Sequence, residues 1–496
     1  MRLKVKDMDI ATGGIQVAIL NEDDAHFLDL HHLDRLKIKH KGKSTIATLD
    51  IAESERAVPQ GNIGLFEETL KALDVKEGDL VSIEHVPKPE SVAYIREKMD
   101  GRRISSKKLR VIVEDIVQNK LSDIELTAFV VTSYTRGMNN EEIVALTKAI
   151  ADTGIRLKFD HKSILDLHSI GGVPGNRTTM LIVPILVAAG CTVPKTSSRA
   201  ITSPAGTADT MEVFCSVSLS IPELKRAVKK VGGFIVWGGS VNLAPADDKI
   251  INVEYPLSID PEAQMIASIM AKKASVGATH LLIEIPVGKE AKVNNRKKAL
   301  HLSRHFSRIG KALNIKVKTV ITKGSEPVGK GIGPILEARD VLWALHNSER
   351  APKDLVKKSI ELSAILLEFS GKARARQGKK MAQRILKTGA ALGAMMRIVE
   401  AQGGKLPNPE ELKPGPAQYT AKAEKSGRIT GLENKTISKI ARLAGAPLDK
   451  GAGVYLHARP KSKVKKGDMI ITIYAHSKRK LNYAKKELDD KLKVID

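Results

Sequence analysis

The chain has few cysteines, few aromatic residues and no long apolar run. Two cysteines, Cys191 and Cys215, occur in 496 residues, and aromatic side chains make up only 3% of them. Two thiols are too few for a disulfide framework or a cysteine-based metal site, which fits a reducing compartment. No apolar stretch is as long as a membrane span, and the N-terminus MRLKVKDMDI is unlike a signal peptide. These absences predict a cytoplasmic protein with no membrane partner.

Positive charge is abundant. The 81 lysines and arginines outnumber the 56 acidic residues, which gives a formal net charge of +25. A balance of this kind indicates an anionic partner, such as nucleic acid, a membrane surface or a phosphorylated metabolite. Few aromatic rings are available to stack on bases, and the basic residues alternate with acidic ones as they do on solvated helix faces. A small phosphorylated substrate is therefore favoured over nucleic acid.

The most informative stretch is residues 164–212. Its first half has an apolar strand, Ile164 to Leu167, then the turn HSIGGVPGN, then an apolar helix. Backbone N–H groups at the start of such a helix, together with the helix dipole, are suited to hold a phosphate. Gly171 and Gly172 let the backbone come close to an anion. The first half therefore predicts a phosphate-binding loop.

The second half of this stretch repeats the arrangement. A short strand is followed by a loop rich in hydroxyl groups, between Ser197 and Thr207. Two such loops after adjacent strands are expected to converge on one anion. Glycine and hydroxyl residues also serve turns and helix caps, which is the competing interpretation. The pattern is neither a Walker A motif nor a Rossmann fingerprint.

The order of helical and strand-like segments predicts an α/β and α+β multidomain fold. From residue 160 strands and helices alternate, which indicates a largely parallel sheet with ligands at the carboxyl ends of its strands. Within residues 243–278 we expect a loop and then a helix that begins near Asp260, with Pro261 at its first position and Asp260 as its N-cap. The predicted domains are a small β-rich N-terminal domain (1–86), an all-helical domain (90–157, completed by about 243–278), a central α/β domain with a mixed sheet (160–240 and 280–404) and a small α+β C-terminal domain (405–496).

Two motifs resemble a known family. The segments HSIGGV from His168 and SSRAITSPAGTADTME from Ser197 to Glu212 resemble the signature of the thymidine and pyrimidine-nucleoside phosphorylases. An inserted PGNRTT, from Pro174 to Thr179, and an extra N-terminal segment make the chain most similar to the archaeal AMP phosphorylases. The resemblance extends from about residue 90 to about residue 475.

This resemblance implies an activity, phosphorolysis of nucleoside 5′-monophosphates. AMP, and also CMP and UMP, would react with inorganic phosphate to give ribose 1,5-bisphosphate and free base, in an archaeal route of nucleotide salvage. The N-terminal segment implies a homo-oligomer, at least a dimer and larger through that segment. No cofactor is expected, because phosphate is itself a substrate. No metal is expected either, because no cluster of His, Asp and Glu at ligand spacing is visible.

The resemblance also implies roles for individual residues. Asp260 matches the proposed proton donor of the family and is the catalytic candidate. Ser268 and Lys292 match residues that contact the base or nucleotide, and Arg199 is the candidate for the 5′-phosphate. The nucleotide-binding set is Gly172, Ser198, Arg199, Ala200, Ile201, Thr202, Ser203, Thr207, Ser268 and Lys292, and the phosphate-binding set is Ser169, Gly171, Thr179 and Ser197.

The chain departs from the family pattern at two places that bear on function. Leu167 stands where the nucleoside enzymes have a lysine, for which Lys162 or Arg177 would compensate, and Glu254 or a neighbour stands where they have a base-reading arginine. Two other functions stay open. One is a pyrimidine-nucleoside phosphorylase, and the other is a basic nucleic-acid-binding or assembly protein on an inactive phosphorylase fold. The PGNRTT insertion and the missing arginine favour the monophosphate enzyme, and the presence of both loops argues against an inactive fold.

Overall fold

The computed structural model describes residues 1–200 and 203–495. Ile201 and Thr202, two of the predicted nucleotide contacts, lie outside the described residues. The chain forms two compact units. The first consists of Met1–Gly137 with Lys249–Pro261, and the second consists of Met138–Asp248 with Glu262–Asp496.

A closed β-barrel forms the start of the first unit. Its strands are β1 (Arg2–Asp7), β2 (Val17–Asn21), β3 (Arg35–His40), β4 (Lys43–Ala52), β5 (Asn62–Leu65) and β6 (Leu80–His85), with two short helices, α1 (Glu22–Phe27) and α2 (Glu67–Leu73). The strand order is β1-β5-β2-β4-β3-β6, closed on itself. Buried residues such as Leu36 and Ile38 alternate along the strands and fill the interior. The β-rich N-terminal part is therefore confirmed as a barrel.

Helices follow the barrel. They are α3 (Glu90–Met99), α4 (Ser106–Val117) and α5 (Asp123–Arg136). Ser105 and Ser122 cap α4 and α5 by accepting hydrogen bonds from N–H groups of the first turn. A buried ion pair between Arg35 of β3 and Glu125 of α5 joins the barrel to these helices. The first unit is thus held together by a charged contact as well as by apolar packing.

The second unit begins as an alternating α/β structure. Its strands are β7 (Leu165–Ser169), β8 (Val193–Ser197), β9 (Gly233–Trp237), β10 (His280–Val287), β11 (Lys316–Lys323) and β12 (Gly331–Ile332). Its helices are α6 (Asn140–Thr153), α7 (Thr179–Ala188), α8 (Thr207–Met211), α9 (Ile221–Val231), α10 (Pro245–Leu257, whose later part belongs to the first unit), α11 (Glu262–Ser275), α12 (Arg296–Ala312), α13 (Pro334–Leu345), α14 (Lys353–Phe369), α15 (Gly378–Lys387) and α16 (Ala390–Ala401).

The central sheet is parallel. β10 pairs with β11 on one side and with β7 on the other, while β8 pairs with β9. A single bridge between Ile164 and Thr192 connects the two sets of strands. The strands predicted at these positions are confirmed, and their pairings in the described part of the chain are parallel rather than mixed. Behind the sheet, the residues from Met180 to Val187 of α7 are buried on every side, which explains why this helix is apolar throughout.

The prediction of a loop in residues 243–259 is wrong, because helix α10 occupies most of this segment. Pro245 at the first helical position and two acidic residues in the first turn, Asp247 and Asp248, suit the start of a helix. The next helix, α11, begins at Glu262, one residue later than predicted. Asp260 therefore lies one residue further from the helix than an N-cap does.

The chain ends in an antiparallel α+β region, as predicted. Its elements are β13 (Ala417–Lys422), β14 (Gly427–Thr430), α17 (Asn434–Leu443), β15 (Gly453–Leu456), β16 (Lys463–Val464), β17 (Met469–Ala475), α18 (Lys478–Lys491) and β18 (Lys493–Ile495). One sheet has the order β12-β15-β17-β13, and a smaller one has the order β16-β14-β18. Because β12 comes from the α/β part, this sheet anchors the glycine-rich segment that precedes α13.

Candidate active site

The first glycine loop follows β7 and lies against the segment after β10. Gly171 and Gly172 have φ angles of +90° and +82°, which side chains other than glycine rarely adopt. A Cβ atom on Gly172 would lie 2.5 Å from the backbone nitrogen of Lys292. By contrast, a Cβ atom on Gly171 would meet no atom within 4 Å. The structure thus brings the predicted residues Gly172 and Lys292 together and leaves open space beside Gly171.

A third glycine-rich segment, residues 324–333, packs on the first loop. The backbone N–H of Val328 donates to the carbonyl oxygen of Pro174 at 3.1 Å. A Cβ atom on Gly175 would collide with the carbonyl oxygen of Val328. Near the end of this segment, the N–H groups of Lys330 and Gly331 donate to the carboxylate of Asp340 in α13, at 2.6 and 2.8 Å. Burial raises the pKa of Asp340 to about 7, although these two N–H groups act in the opposite direction.

Arg177 connects all three loops. Its guanidinium donates to Glu337 of α13 and, at 3.1 Å, to the hydroxyl of Thr207 in the second loop. Glu337 also accepts from the Gly333 N–H at 3.1 Å and from the hydroxyl of Thr210 at 3.3 Å. Both members of the Arg177–Glu337 ion pair are nearly inaccessible to solvent. Arg177 therefore holds the loops together, and its role in place of the missing loop lysine, like that of Lys162, stays a prediction.

The second loop is braced by Arg199. This guanidinium donates to Asp209 at 3.2 Å and to both carboxylate oxygens of Glu212 at 2.6 and 3.0 Å, and it lies 5.0 Å from the Trp237 ring centroid. Hydrogen bonding from Arg199 lowers the pKa of Glu212 to about 2. Most of the donors of Arg199 are thus used within the protein. A direct contact with a 5′-phosphate stays a prediction.

Asp209 shapes the backbone of the same loop. Its second carboxylate oxygen accepts from the N–H groups of Ala200 and Gly206, at 2.7 and 2.8 Å. The N–H of Ala208 donates to the carbonyl oxygen of Ser198 at 3.3 Å, and the hydroxyl of Ser203 donates to Ala205. Hydrogen bonds within the loop therefore fix the backbone that carries the predicted nucleotide contacts in its described part.

The predicted phosphate ligands lie where the sheet and α7 present them. Ser169 is the last residue of β7, Ser197 is the last residue of β8, and Thr179 is the first residue of α7. The Ser169 hydroxyl accepts from the side-chain amide of Asn176 at 3.4 Å, and the Ser197 hydroxyl donates to Val236 at 3.2 Å. The carboxyl ends of two strands and the N-terminus of a helix are positions at which proteins bind anions.

A buried cluster of charges, not predicted from the sequence, lies beneath these loops. The ammonium group of Lys273 lies 2.7 Å from one carboxylate oxygen of Asp166, and that of Lys195 lies 3.5 Å from the other. Lys195 also donates to the carbonyl oxygen of Thr196 at 2.7 Å. It thus connects β7 to β8 beyond the single backbone bridge between them. One feature of the sequence could have indicated this cluster: the charged residue Lys195 lies inside the buried strand TVPKTS, where a charge needs a partner.

This cluster carries two positive charges for one negative charge. All three side chains are at most 5% exposed to solvent. Burial lowers the pKa of Lys195 to about 7. Burial, followed by the charges of Lys273 and Lys195, lowers the pKa of His168 well below its usual range. The base of the first loop therefore has two lysines for one carboxylate, and its net charge is positive when Lys195 is protonated.

The predicted contact residue Ser268 belongs to a second polar network. Its hydroxyl donates to Asp247 at 2.8 Å, and the ammonium group of Lys272 lies 2.6 Å from the same carboxylate oxygen. Although burial opposes it, the charges of Asp247 and Asp248 raise the pKa of Lys272. The start of α10 thus orients two side chains of α11.

Three family models match the chain. The helical bundle domain of a glycosyl transferase family matches residues 92–154, and the a/b domain of a glycosyl transferase family matches residues 161–291. The pyrimidine nucleoside phosphorylase C-terminal domain matches residues 428–494. These matches cover α3 to α6, the part of the α/β structure that holds β7 to β10 with both loops, and most of the C-terminal region.

Full-length relatives decide the family. The AMP phosphorylases of Methanococcus vannielii and Thermococcus kodakarensis are each 46% identical to this chain, over 484 and 486 residues, with 98% of this chain and 95% of the relative covered. AMP phosphorylase 1 of Archaeoglobus fulgidus is 46% identical over 94% of this chain and 92% of its own length. The chain belongs to the AMP phosphorylase family.

A solved structure of another enzyme shares the fold. Anthranilate phosphoribosyltransferase from Thermus thermophilus matches with a TM-score of 0.53 and 17% sequence identity, over 62% of this chain and 99% of that one. At this identity the similarity concerns the fold alone. No helix among the described residues is long and apolar enough to cross a membrane.

The catalytic candidate of this AMP phosphorylase family member, Asp260, lies in the short connection between α10 and α11. That connection belongs to the first unit, as does Glu254, whereas Ser268 and Lys292 belong to the second unit. The roles of Asp260, Ser268 and Lys292 stay predictions.

Proposed function

We propose that this protein catalyses the phosphorolysis of AMP to ribose 1,5-bisphosphate and adenine, and that CMP and UMP react likewise. The observation that carries the proposal is the pair of loops after β7 and β8, which Arg177 fastens together at the carboxyl ends of adjacent parallel strands. Relatives of nearly full length that are named AMP phosphorylase support the choice of substrate.

The reaction joins a phosphate oxygen to C1′ of the ribose and breaks the bond between C1′ and the base nitrogen. The electron pair of that bond leaves with the base, which takes up a proton, and the ribose passes through a state with oxocarbenium character. Asp260 is our candidate for the proton donor. Ser268 and Lys292 position the nucleotide, and the first loop holds the attacking phosphate through N–H groups and the hydroxyls of Ser169 and Thr179.

The buried charge cluster supplies the positive charge that a lysine at position 167 would have provided. Leu167 packs in the apolar core behind the sheet, so no cation projects from that position. Lys195 and Lys273 share the single carboxylate of Asp166, which leaves about one net positive charge beneath the loop at a pH below the pKa of Lys195, about 7. Because this charge lies in a poorly screened interior, it attracts an anion bound above it. Lys195 thus acts at a distance, as a positioning charge for phosphate.

Assembly through the N-terminal barrel is part of the same proposal. Several large apolar side chains of the barrel segment are exposed, among them Phe27, Leu33 and Leu80. Single exposed apolar side chains are common on protein surfaces, so the N-terminal segment that the chain shares with the AMP phosphorylases supports this part of the proposal, and these residues serve to test it. Light scattering of the protein with and without the Phe27→Ser and Leu80→Ser changes tests whether the barrel holds copies of the chain together.

The decisive experiment measures free base released from AMP, CMP, UMP, thymidine and uridine, each with and without phosphate. We expect release from the monophosphates only, dependent on phosphate and lost in Asp260→Asn. Release from nucleosides alone would instead identify a pyrimidine-nucleoside phosphorylase. Absence of any release, combined with salt-sensitive retention on DNA, would favour a nucleic-acid-binding protein on an inactive fold.

A further inference from the structure

A group of metal-ligating side chains lies on two helices of the second unit. Glu262 is the first residue of α11, and His301 and His305 stand four residues apart on α12. One ligand atom from each of the three lies within 4.8 Å of the other two. No metal cluster was expected from the sequence. The spacing of the two histidines, four residues apart on one helix face, was visible in the sequence. That Glu262 lies beside them is shown only by the fold.

We propose that Glu262, His301 and His305 bind a divalent transition-metal ion such as Zn²⁺. Nε2 of His301 lies 2.8 Å from a carboxylate oxygen of Glu262. The two imidazole rings are 4.4 Å apart between centroids and nearly edge to face. Ligand atoms about 2.1 Å from one ion lie at most about 4.2 Å from one another, so the three side chains would rotate to close their present spacing of up to 4.8 Å.

A buried nitrogen without a hydrogen-bond partner supports the proposal. Nδ1 of His305 is inaccessible to solvent and has no partner among the described residues. Burying such a group unpaired is unfavourable, and proteins rarely do so without a reason such as a missing ion or water. A metal ion would accept the lone pair of this nitrogen and remove the cost.

The chemistry of the three ligands selects the kind of metal. Two imidazole nitrogens and one carboxylate suit zinc and its neighbours in the first transition row, whereas magnesium and calcium prefer oxygen ligands only. Three protein ligands leave room for water on the ion. The basic residues of α12 nearby, such as Arg304 and Arg308, oppose a dication, so we expect weaker binding than in a closed four-ligand structural site.

The position of the site suggests what the ion does. The chain passes from the first unit to the second between Pro261 and Glu262. Helix α11, which starts there, carries Ser268, Lys272 and Lys273. An ion held by Glu262 and by α12 would fix the beginning of this helix within the second unit. The ion is therefore structural in our proposal, and the reaction does not pass through it.

Titration of the full-length, chelator-treated protein with Co²⁺ and Zn²⁺ tests the proposal. We expect one ion per chain, the visible absorption of cobalt bound to nitrogen, and a rise in the unfolding temperature with Zn²⁺ but not with Mg²⁺. His301→Gln and His305→Gln should each weaken binding at least 100-fold, and Glu262→Gln about tenfold. His346→Gln, at an exposed histidine outside the group, is the matched control and should bind as the unaltered protein does.

Metal binding is measured independently of catalysis, so a negative result for the metal site says nothing against the proposed function, and the reverse also holds. Thermal unfolding without metal shows whether each variant is folded. No binding to the unaltered protein, or binding that is unchanged in a folded His301→Gln/His305→Gln double variant, would overturn the proposal. Should the double variant fail to fold, a cobalt affinity about tenfold lower in Glu262→Gln supports the proposal, and an unchanged affinity contradicts it.

Discussion

Lys195→Met should weaken the binding of phosphate without unfolding the protein. Methionine keeps most of the volume of the lysine side chain and removes only its charge and hydrogen bond. The change leaves Asp166 paired with Lys273 at 2.7 Å, so no buried charge is left alone. At pH 6, where Lys195 is mostly protonated, the net charge of the cluster then falls from about +1 to 0.

The expected size follows from the strand geometry. Ser169 comes three residues after Asp166 on β7, and a strand rises about 3.3 Å per residue, so a phosphate at the loop lies about 8 to 10 Å from the cluster. Two unit charges about 8 Å apart, at an effective dielectric constant near 20, interact with about 2 kcal/mol. We therefore expect the KM for phosphate to rise roughly 10- to 30-fold, with a smaller change in kcat.

The effect should depend on pH. Since burial lowers the pKa of Lys195 to about 7, its ammonium form predominates below that pH and is lost above it. The ratio of the two KM values, variant to unaltered protein, should therefore be larger at pH 6 than at pH 8.5. Taking the ratio at each pH cancels the titration of phosphate itself.

The assay is initial-rate phosphorolysis of AMP at varied phosphate concentration. Lys485→Met is the matched control, because Lys485 forms an exposed ion pair with Asp489 near the end of the chain. A folded Lys195→Met variant whose KM for phosphate at pH 6 equals that of the control would refute the role of the buried cluster.

Other predictions concern the loops. Gly172→Ala combines a positive φ with a Cβ atom 2.5 Å from the Lys292 nitrogen, so it should lower kcat/KM more than 10-fold. Its unfolding free energy should also fall well below that of the control variant Gly389→Ala. At Gly389 φ is +78°, but no atom lies within 4 Å of an added Cβ. Arg177→Met leaves Glu337 buried and unpaired, so denaturant unfolding should show a loss of about 3–5 kcal/mol, much of it recovered by a second change, Glu337→Gln. The pKa of Asp340, raised to about 7, means that protonation favours the folded state; stability is present at low pH and is lost as the pH rises from about 4 through 7. Asp340→Asn should therefore gain stability relative to the unaltered protein as the pH rises from 5 to 8, and a constant difference would contradict this.

Features encoded by neighbouring residues were predictable from the sequence. The strand before the first loop and the positive φ angles of its glycines both arise from short-range rules, and the structure has them. The failures lie elsewhere. Residues 245–257 were interpreted as a loop because their charged first turn interrupts the apolar pattern, yet that same turn suits a helix start.

Contacts between distant residues could not be predicted. Arg177 meets Glu337, 160 residues later, and Lys273 meets Asp166 on a strand more than a hundred residues earlier. Each of these residues, taken alone in the sequence, looks like an ordinary surface charge. Only the fold shows that they are buried and paired, because burial depends on which helices cover the sheet.

The departure at Leu167 and the charge at Lys195 have one physical explanation. Beyond the single bridge of Ile164 with Thr192, no backbone pairing connects β7 and β8 in the described chain, so no backbone ladder joins their carboxyl ends. Such a gap needs a polar group that bonds to both strands, and the side chain of Lys195 does this through Asp166 and Thr196. We propose that a protonated Lys195 in that position charges the space between the loops while it links their strands. The apolar residue at 167 would then serve the core, because the charge would come from the adjacent strand.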